Sequence, residues 1–68
     1  MAALADARVA KGLTQEELGR RLGVDQTYVS KYETGRRRID VIEFMSIVAA
    51  LGVAPQTLLS KIWPKAAG

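Results

Sequence analysis

Cysteine and histidine are both absent from this 68-residue chain, and the two absences narrow its chemistry at once. Without cysteine there are no disulfide staples and no thiolate metal sites. Without histidine the commonest general base and the commonest metal ligand are gone. Serine, threonine, lysine and the carboxylates are then left with no partner for nucleophilic chemistry. Paired catalytic carboxylates and a glycine-rich phosphate loop are missing too, so no enzyme, metal or cofactor is expected. Only four residues are aromatic, so the core has to be built from Leu, Ile, Val and Ala, which suits short helices packed closely. Alternation of apolar and polar residues is nowhere sustained, which removes the support for strands. No stretch approaches the ~20 apolar residues of a membrane-spanning helix. Residues 1–10 carry no apolar run behind a basic start, so no signal peptide is read and a cytoplasmic, nucleoid-associated protein is expected.

A chain of this size forms one domain, here residues 1–68, and buries only about 60% of the surface its unfolded form exposes. With neither disulfides nor metal to reinforce it, self-association is the expected route to stability.

What is present is a regular punctuation by Gly12, Gly23, Gly35 and Gly52, each able to stop a helix in the left-handed conformation. Five helices are predicted. The first runs from about Ala2 to Lys11 with Leu4 and Ala7, and potentially Ala10, on one face. The second opens on Thr14-Gln15-Glu16-Glu17, a capping box with Thr14 as cap and Glu17 as the reciprocal carboxylate, and turns Leu18 and Leu22 inward. The third begins near Asp25, a good cap residue, and buries Val29 and Tyr32 while Gln26, Thr27, Ser30 and Lys31 project outward. Only Gly23-Val24 separates the second helix from the third, a tight turn that holds two helices at a steep angle. Asp40 to Glu43 is a second cap-like signal, opening an apolar helix with Phe44, Ile47, Val48 and Leu51. Pro55 suits the first position of a fifth, whose apolar side is Leu58, Leu59 and Ile62.

Charge is segregated along this frame. Between Arg20 and Arg38 there are six basic residues (Arg20, Arg21, Lys31, Arg36, Arg37, Arg38) against Asp25 and Glu33, an excess of four positive charges, whereas the rest of the chain nets minus one. Such a cluster is either a polyanion-binding face, where each neutralised phosphate releases counterions, or a solvated surface.

Through Arg8, Lys11-Gly12-Leu13-Thr14-Gln15-Glu16-Glu17-Leu18, Leu22-Gly23-Val24, Tyr28-Val29-Ser30-Lys31-Tyr32-Glu33, Gly35 and Ala50-Leu51-Gly52-Val53, the chain resembles the phage-repressor and Cro type of helix-turn-helix protein, the XRE-like family. The likeness covers about residues 4–59 and leaves 60–68 as a tail. It implies an all-α, compact five-helix, lambda-repressor-like DNA-binding domain in which helices two and three form the helix-turn-helix. In that family the second helix of the motif enters the major groove and the first crosses the backbone.

By resemblance, Gln26 and Thr27 are the base-contacting positions, Lys31 is a further one a turn on, and Ser30 touches a base or nothing. A glutamine amide suits adenine N6 and N7, and lysine suits guanine O6 and N7. Gln15, just inside the second helix, matches a family position that binds phosphate. Arg36, Arg37 and Arg38 fall in the loop that runs along the sugar-phosphate backbone. Not all three need reach DNA; one is open to solvent or to a dimer mate. Tyr28 either packs its ring or also extends its hydroxyl to a phosphate. Arg8 and Glu33 match a pair of family positions that form an internal ion pair, a structural role. Gly19 stands where the family usually has alanine, at about 1 kcal/mol of helix propensity. Ala7 replaces a larger apolar residue, and Ala54 lacks the usual capping side chain.

In the tail, Trp63 with Ile62 is either a cap on the core or an exposed dimer anchor. Lys65 to Gly68 reads as a frayed end. A two-fold dimer would set two reading helices about 34 Å apart and predicts a palindromic operator. The expected function is a small transcriptional regulator, repressor or controller, that binds double-stranded DNA as a homodimer. The alternative is an antitoxin-like interaction module that neutralises a separate protein partner, with DNA binding secondary.

Overall fold

The computed structural model of the chain describes residues 2–62. The proposed tail anchor Trp63 and the side chain of its neighbour Ile62 lie outside the described residues. Five helices follow one another: α1 (Ala2–Ala10), α2 (Gln15–Leu22), α3 (Gln26–Glu33), α4 (Val41–Leu51) and α5 (Pro55–Ile62).

Local chemistry accounts for where they begin and end. At the start of α2, Thr14 Oγ1 accepts from the Glu17 amide at 3.0 Å while Glu17 Oε1 accepts from the Thr14 amide at 3.1 Å. The same reciprocal exchange opens α4, where Asp40 Oδ1 takes the Glu43 amide at 2.7 Å and Glu43 Oε1 takes the Asp40 amide at 3.1 Å. Each box satisfies two amides that the helix itself cannot pair. Asp25 caps α3 through Oδ1 and the Thr27 amide at 2.9 Å. Gly23 and Gly52 close α2 and α4 with φ of 73°, a left-handed conformation that costs any residue with a Cβ.

Leu4 and Ala7 of α1, Leu18 of α2, Val29 and Tyr32 of α3, Ile47, Val48 and Leu51 of α4 and Leu58 of α5 form one buried cluster, joined by Leu13 from the α1–α2 loop. Among the described residues no polar or charged residue is buried. The cluster departs from the periodic reading at its edges. Leu22 and Phe44 are half-buried, Ala10 is exposed, and Leu59 is 40% exposed. Leu58 and Leu59 are adjacent on α5, so a 3.6-residue helix turns them about 100° apart and only Leu58 faces the core.

α2 packs chiefly on α3 and also on α4, and α1 lies against α3 and α5. The α2–α3 approach explains Gly19. It is buried, and a Cβ there would stand 2.9 Å from the Val24 carbonyl oxygen and 3.4 Å from the Gln26 amide nitrogen. What reads in sequence as a loss of helix propensity is the clearance that lets the turn and the start of α3 settle on α2. Among the described residues no single helix is long and apolar enough to cross a membrane.

Candidate nucleic-acid interface

The outward side of α3 is held from behind by a line of polar contacts. Arg8 on α1 grips Glu33 in the last turn of α3 with two guanidinium nitrogens, Nε to Oε2 at 2.8 Å and Nη2 to Oε1 at 3.2 Å. Its third nitrogen donates to the Leu13 carbonyl at 2.8 Å. The side chains are 15% and 5% exposed, so the pair is well shielded. The Glu33 carboxylate raises the Arg8 pKa above its ordinary value. Gln15, the first residue of α2, donates Nε2 to the same Glu33 Oε1 at 3.0 Å, and its Oε1 accepts from Gln26 Nε2 at 3.4 Å. Residues 8, 33, 15 and 26 thus form a relay that ends on the first residue of α3.

Beyond that relay, Gln26, Thr27 and Lys31 are exposed on α3 and Ser30 is half-buried. Tyr28 takes another direction. Its ring meets Tyr32 edge to face, with centroids 5.6 Å apart, and its hydroxyl donates to Glu43 Oε2 on α4 at 2.5 Å. Burial, then the Glu43 carboxylate, pushes the phenol pKa up, so the hydroxyl keeps its proton as a donor. Arg37 joins the group: Nη2 lies 3.0 Å from Glu43 Oε2 and the guanidinium sits 5.0 Å from the Tyr28 ring centroid. The Tyr28 hydroxyl, the Asp40 amide and Arg37 together hold the Glu43 carboxyl at about 2.

Arg36 and Arg38 flank Arg37 and are exposed. Neither side chain makes an ion pair or a hydrogen bond among the described residues. The amides of Arg36 and Arg37 both donate to the Lys31 carbonyl, at 2.9 and 3.2 Å, which ties the arginine loop directly to the end of α3. Arg21, counted in the basic cluster, instead donates to the Ala50 carbonyl near the C-terminus of α4 at 3.0 Å. Sequence reasoning missed Glu43 as more than a helix cap and Arg21 as a strut. Their partners, 15 and 29 residues distant in the chain, leave no local signal.

The sequence profile of the HTH_3 helix-turn-helix family matches residues 4–58. The chain belongs to that family. It is 50% identical over 52 residues to a Neisseria hypothetical transcription factor from Neisseria meningitidis, an overlap of 76% of this chain and 49% of the relative. It is 45% identical over 53 residues to the uncharacterized HTH-type transcriptional regulator y4dJ of Sinorhizobium fredii, covering 78% of this chain and 69% of that one. Control protein C.MunI of a Mycoplasma species is 34% identical over 50 residues, 74% of this chain and 68% of that protein. The chain therefore spans about half the length of the Neisseria relative and about two thirds of the other two. Among solved structures, an XRE-family like protein from Pseudomonas syringae superposes with a TM-score of 0.81 at 50% identity, covering 91% of this chain and 78% of that one. In this helix-turn-helix protein, α2 and α3 are the two motif helices. The Neisseria and Sinorhizobium relatives bear the names of a transcription factor and a transcriptional regulator.

Proposed function

We propose that this helix-turn-helix protein is an intracellular regulator that binds double-stranded DNA sequence-specifically, with α3 in the major groove. The observation that carries the reading is the polar, exposed face of α3, with its leading side chain held by the relay from Arg8. A glutamine amide nitrogen has two hydrogens. With one given to Gln15, Gln26 keeps the other for adenine N7 and its carbonyl oxygen for adenine N6–H. Thr27 offers a methyl and a hydroxyl to the next base edge, and Lys31 reaches guanine O6 or N7. Ser30, half-buried, is a weaker participant. Gln15 likewise spends one amide hydrogen on Glu33 and retains one for a phosphate, beside the unpaired amides that open α2. Arg36 and Arg38 supply further phosphate contacts, which add affinity and salt dependence without reading sequence. Tyr28 has a single hydroxyl proton, already donated to Glu43, so it serves by packing.

Assembly as a homodimer on a palindromic operator belongs to the same proposal. The start of α4 leaves Val41 and Ile42 76% and 79% exposed and Met45 48% exposed, an apolar surface next to the arginine loop that suits a protein contact. That surface also favours the second reading, an antitoxin-like module that docks a separate protein.

Selection from random duplexes, followed by titration of the enriched duplex and a scrambled control over a salt series, tests the reading. The expected result is a palindrome bound with steep salt dependence, and a preference relaxed at one position of each half-site by Gln26→Ala, a loss of about 1–3 kcal/mol in discrimination. Equal, weak binding of both duplexes at physiological salt would remove the reader assignment and turn attention to a protein partner.

A further inference from the structure

The three consecutive arginines after α3 are chemically alike, yet their surroundings differ. Arg37 is engaged on two sides, by the Glu43 carboxylate at 3.0 Å and by the Tyr28 ring beneath its guanidinium. Arg36 and Arg38 are exposed with no side-chain partner among the described residues. A half-exposed arginine–glutamate pair is ordinarily loose, because two long side chains must surrender rotamer freedom to meet. Glu43 is not free in that way. Oε1 is bound to the Asp40 amide by the capping box of α4, and Oε2 receives the Tyr28 hydroxyl at 2.5 Å as well as Arg37. Tyr28 is itself braced edge-on against the buried Tyr32. The acceptor and the ring are both in place before Arg37 arrives, so little ordering remains to be done when it binds.

We propose that Glu43 is a positioning residue of the DNA interface. It takes Tyr28 and Arg37 together and withdraws Arg37 from the phosphate-binding set, leaving Arg36 and Arg38 to meet the backbone. The proposal rests on the DNA-binding reading above. Glu43 touches no DNA. It acts through Arg37, which it makes an internal strut in the middle of the run.

The number of phosphates neutralised is read from the slope of log affinity against log salt, at about 0.9 per contact on B-form DNA, and a merely structural residue does not move it. The full chain, titrated on the duplex enriched by selection, is compared with Arg36→Ala, Arg37→Ala, Arg38→Ala, Glu43→Gln and the double variant Glu43→Gln/Arg37→Ala. Arg36→Ala and Arg38→Ala are each expected to lower the slope by about 0.9, and Arg37→Ala to leave it unchanged. Glu43→Gln, by releasing Arg37, is expected to raise it by about as much, and the double variant to return it to the wild-type value. Because Arg37 is a surface side chain outside the core cluster, Arg37→Ala tests the assignment even if Glu43→Gln fails to fold. A slope lost in Arg37→Ala as in its neighbours overturns the proposal while leaving DNA binding intact. Failure of the wild-type chain to bind any duplex in a salt-dependent way overturns the DNA-binding reading, and this proposal with it.

Discussion

Gly19 and Glu43 show how a single residue changes meaning once its neighbours are known. On helix propensity alone, Gly19→Ala should stabilise α2 by about 1 kcal/mol. The added methyl would instead lie 2.9 Å from the Val24 carbonyl oxygen, a backbone atom that cannot rotate aside, so the turn must shift and α3 with it. Gly19→Ala is therefore expected to lower the denaturation midpoint, with the native near-ultraviolet signal of the tyrosines altered. A midpoint raised by the full propensity gain would show that the turn has slack. Glu43 was legible as the N3 carboxylate of a capping box because Asp40 stands three residues before it. Its second oxygen was not legible, since nothing near residue 43 announces Tyr28 or Arg37.

The elements themselves were largely written in short-range chemistry. Thr14 with Glu17 and Asp40 with Glu43 start α2 and α4 where the capping pattern placed them, and Gly23 and Gly52 stop them. These signals act within one helical turn and need no tertiary partner. The apolar sides were less secure, because on α5 the pattern offered Leu58 and Leu59 together and packing chose one. The cap of α3 has a consequence for function, since Gln26 and Thr27 are the first two residues after Asp25. Asp25→Ala is expected to cost about 1 kcal/mol in chemical denaturation and to weaken binding of the enriched duplex through fraying of the end that carries the reading side chains. Stability lost without any change in binding would mean that the relay from Arg8 holds Gln26 unaided.

At the scale of the whole molecule, stability depends on carboxylates held ionised by hydrogen bonds. Glu43 lies at about 2 against an ordinary 4.5. Glu17 and Asp25 are also lowered, by the amides of Thr14 and Thr27. A carboxyl whose pKa is depressed by folding stabilises the native state above its unfolded pKa and loses that contribution as pH falls through the folded value. The melting temperature should accordingly hold near neutral pH and decline from about pH 4.5 toward pH 2. Glu43→Gln should melt lower than wild type at neutral pH but show a flatter acid limb, the two curves converging at low pH. Parallel curves across that range would mean that Glu43 keeps an ordinary carboxyl pKa in the folded chain.

The sequence by itself determined the helical class, the number and order of helices, their caps and stops, most of the core, and the outward polar residues of α3, because caps, turns and periodicity are properties of neighbours along the chain. Only the tertiary structure decided which of the three arginines is engaged inside the fold, where the Tyr28 hydroxyl goes, why Gly19 is a glycine, and how Gln15 links Glu33 to Gln26. Those outcomes depend on the angle and distance at which helices meet, and side chains 6 to 29 residues apart in the chain carry no mark of one another until packing brings them within hydrogen-bond reach.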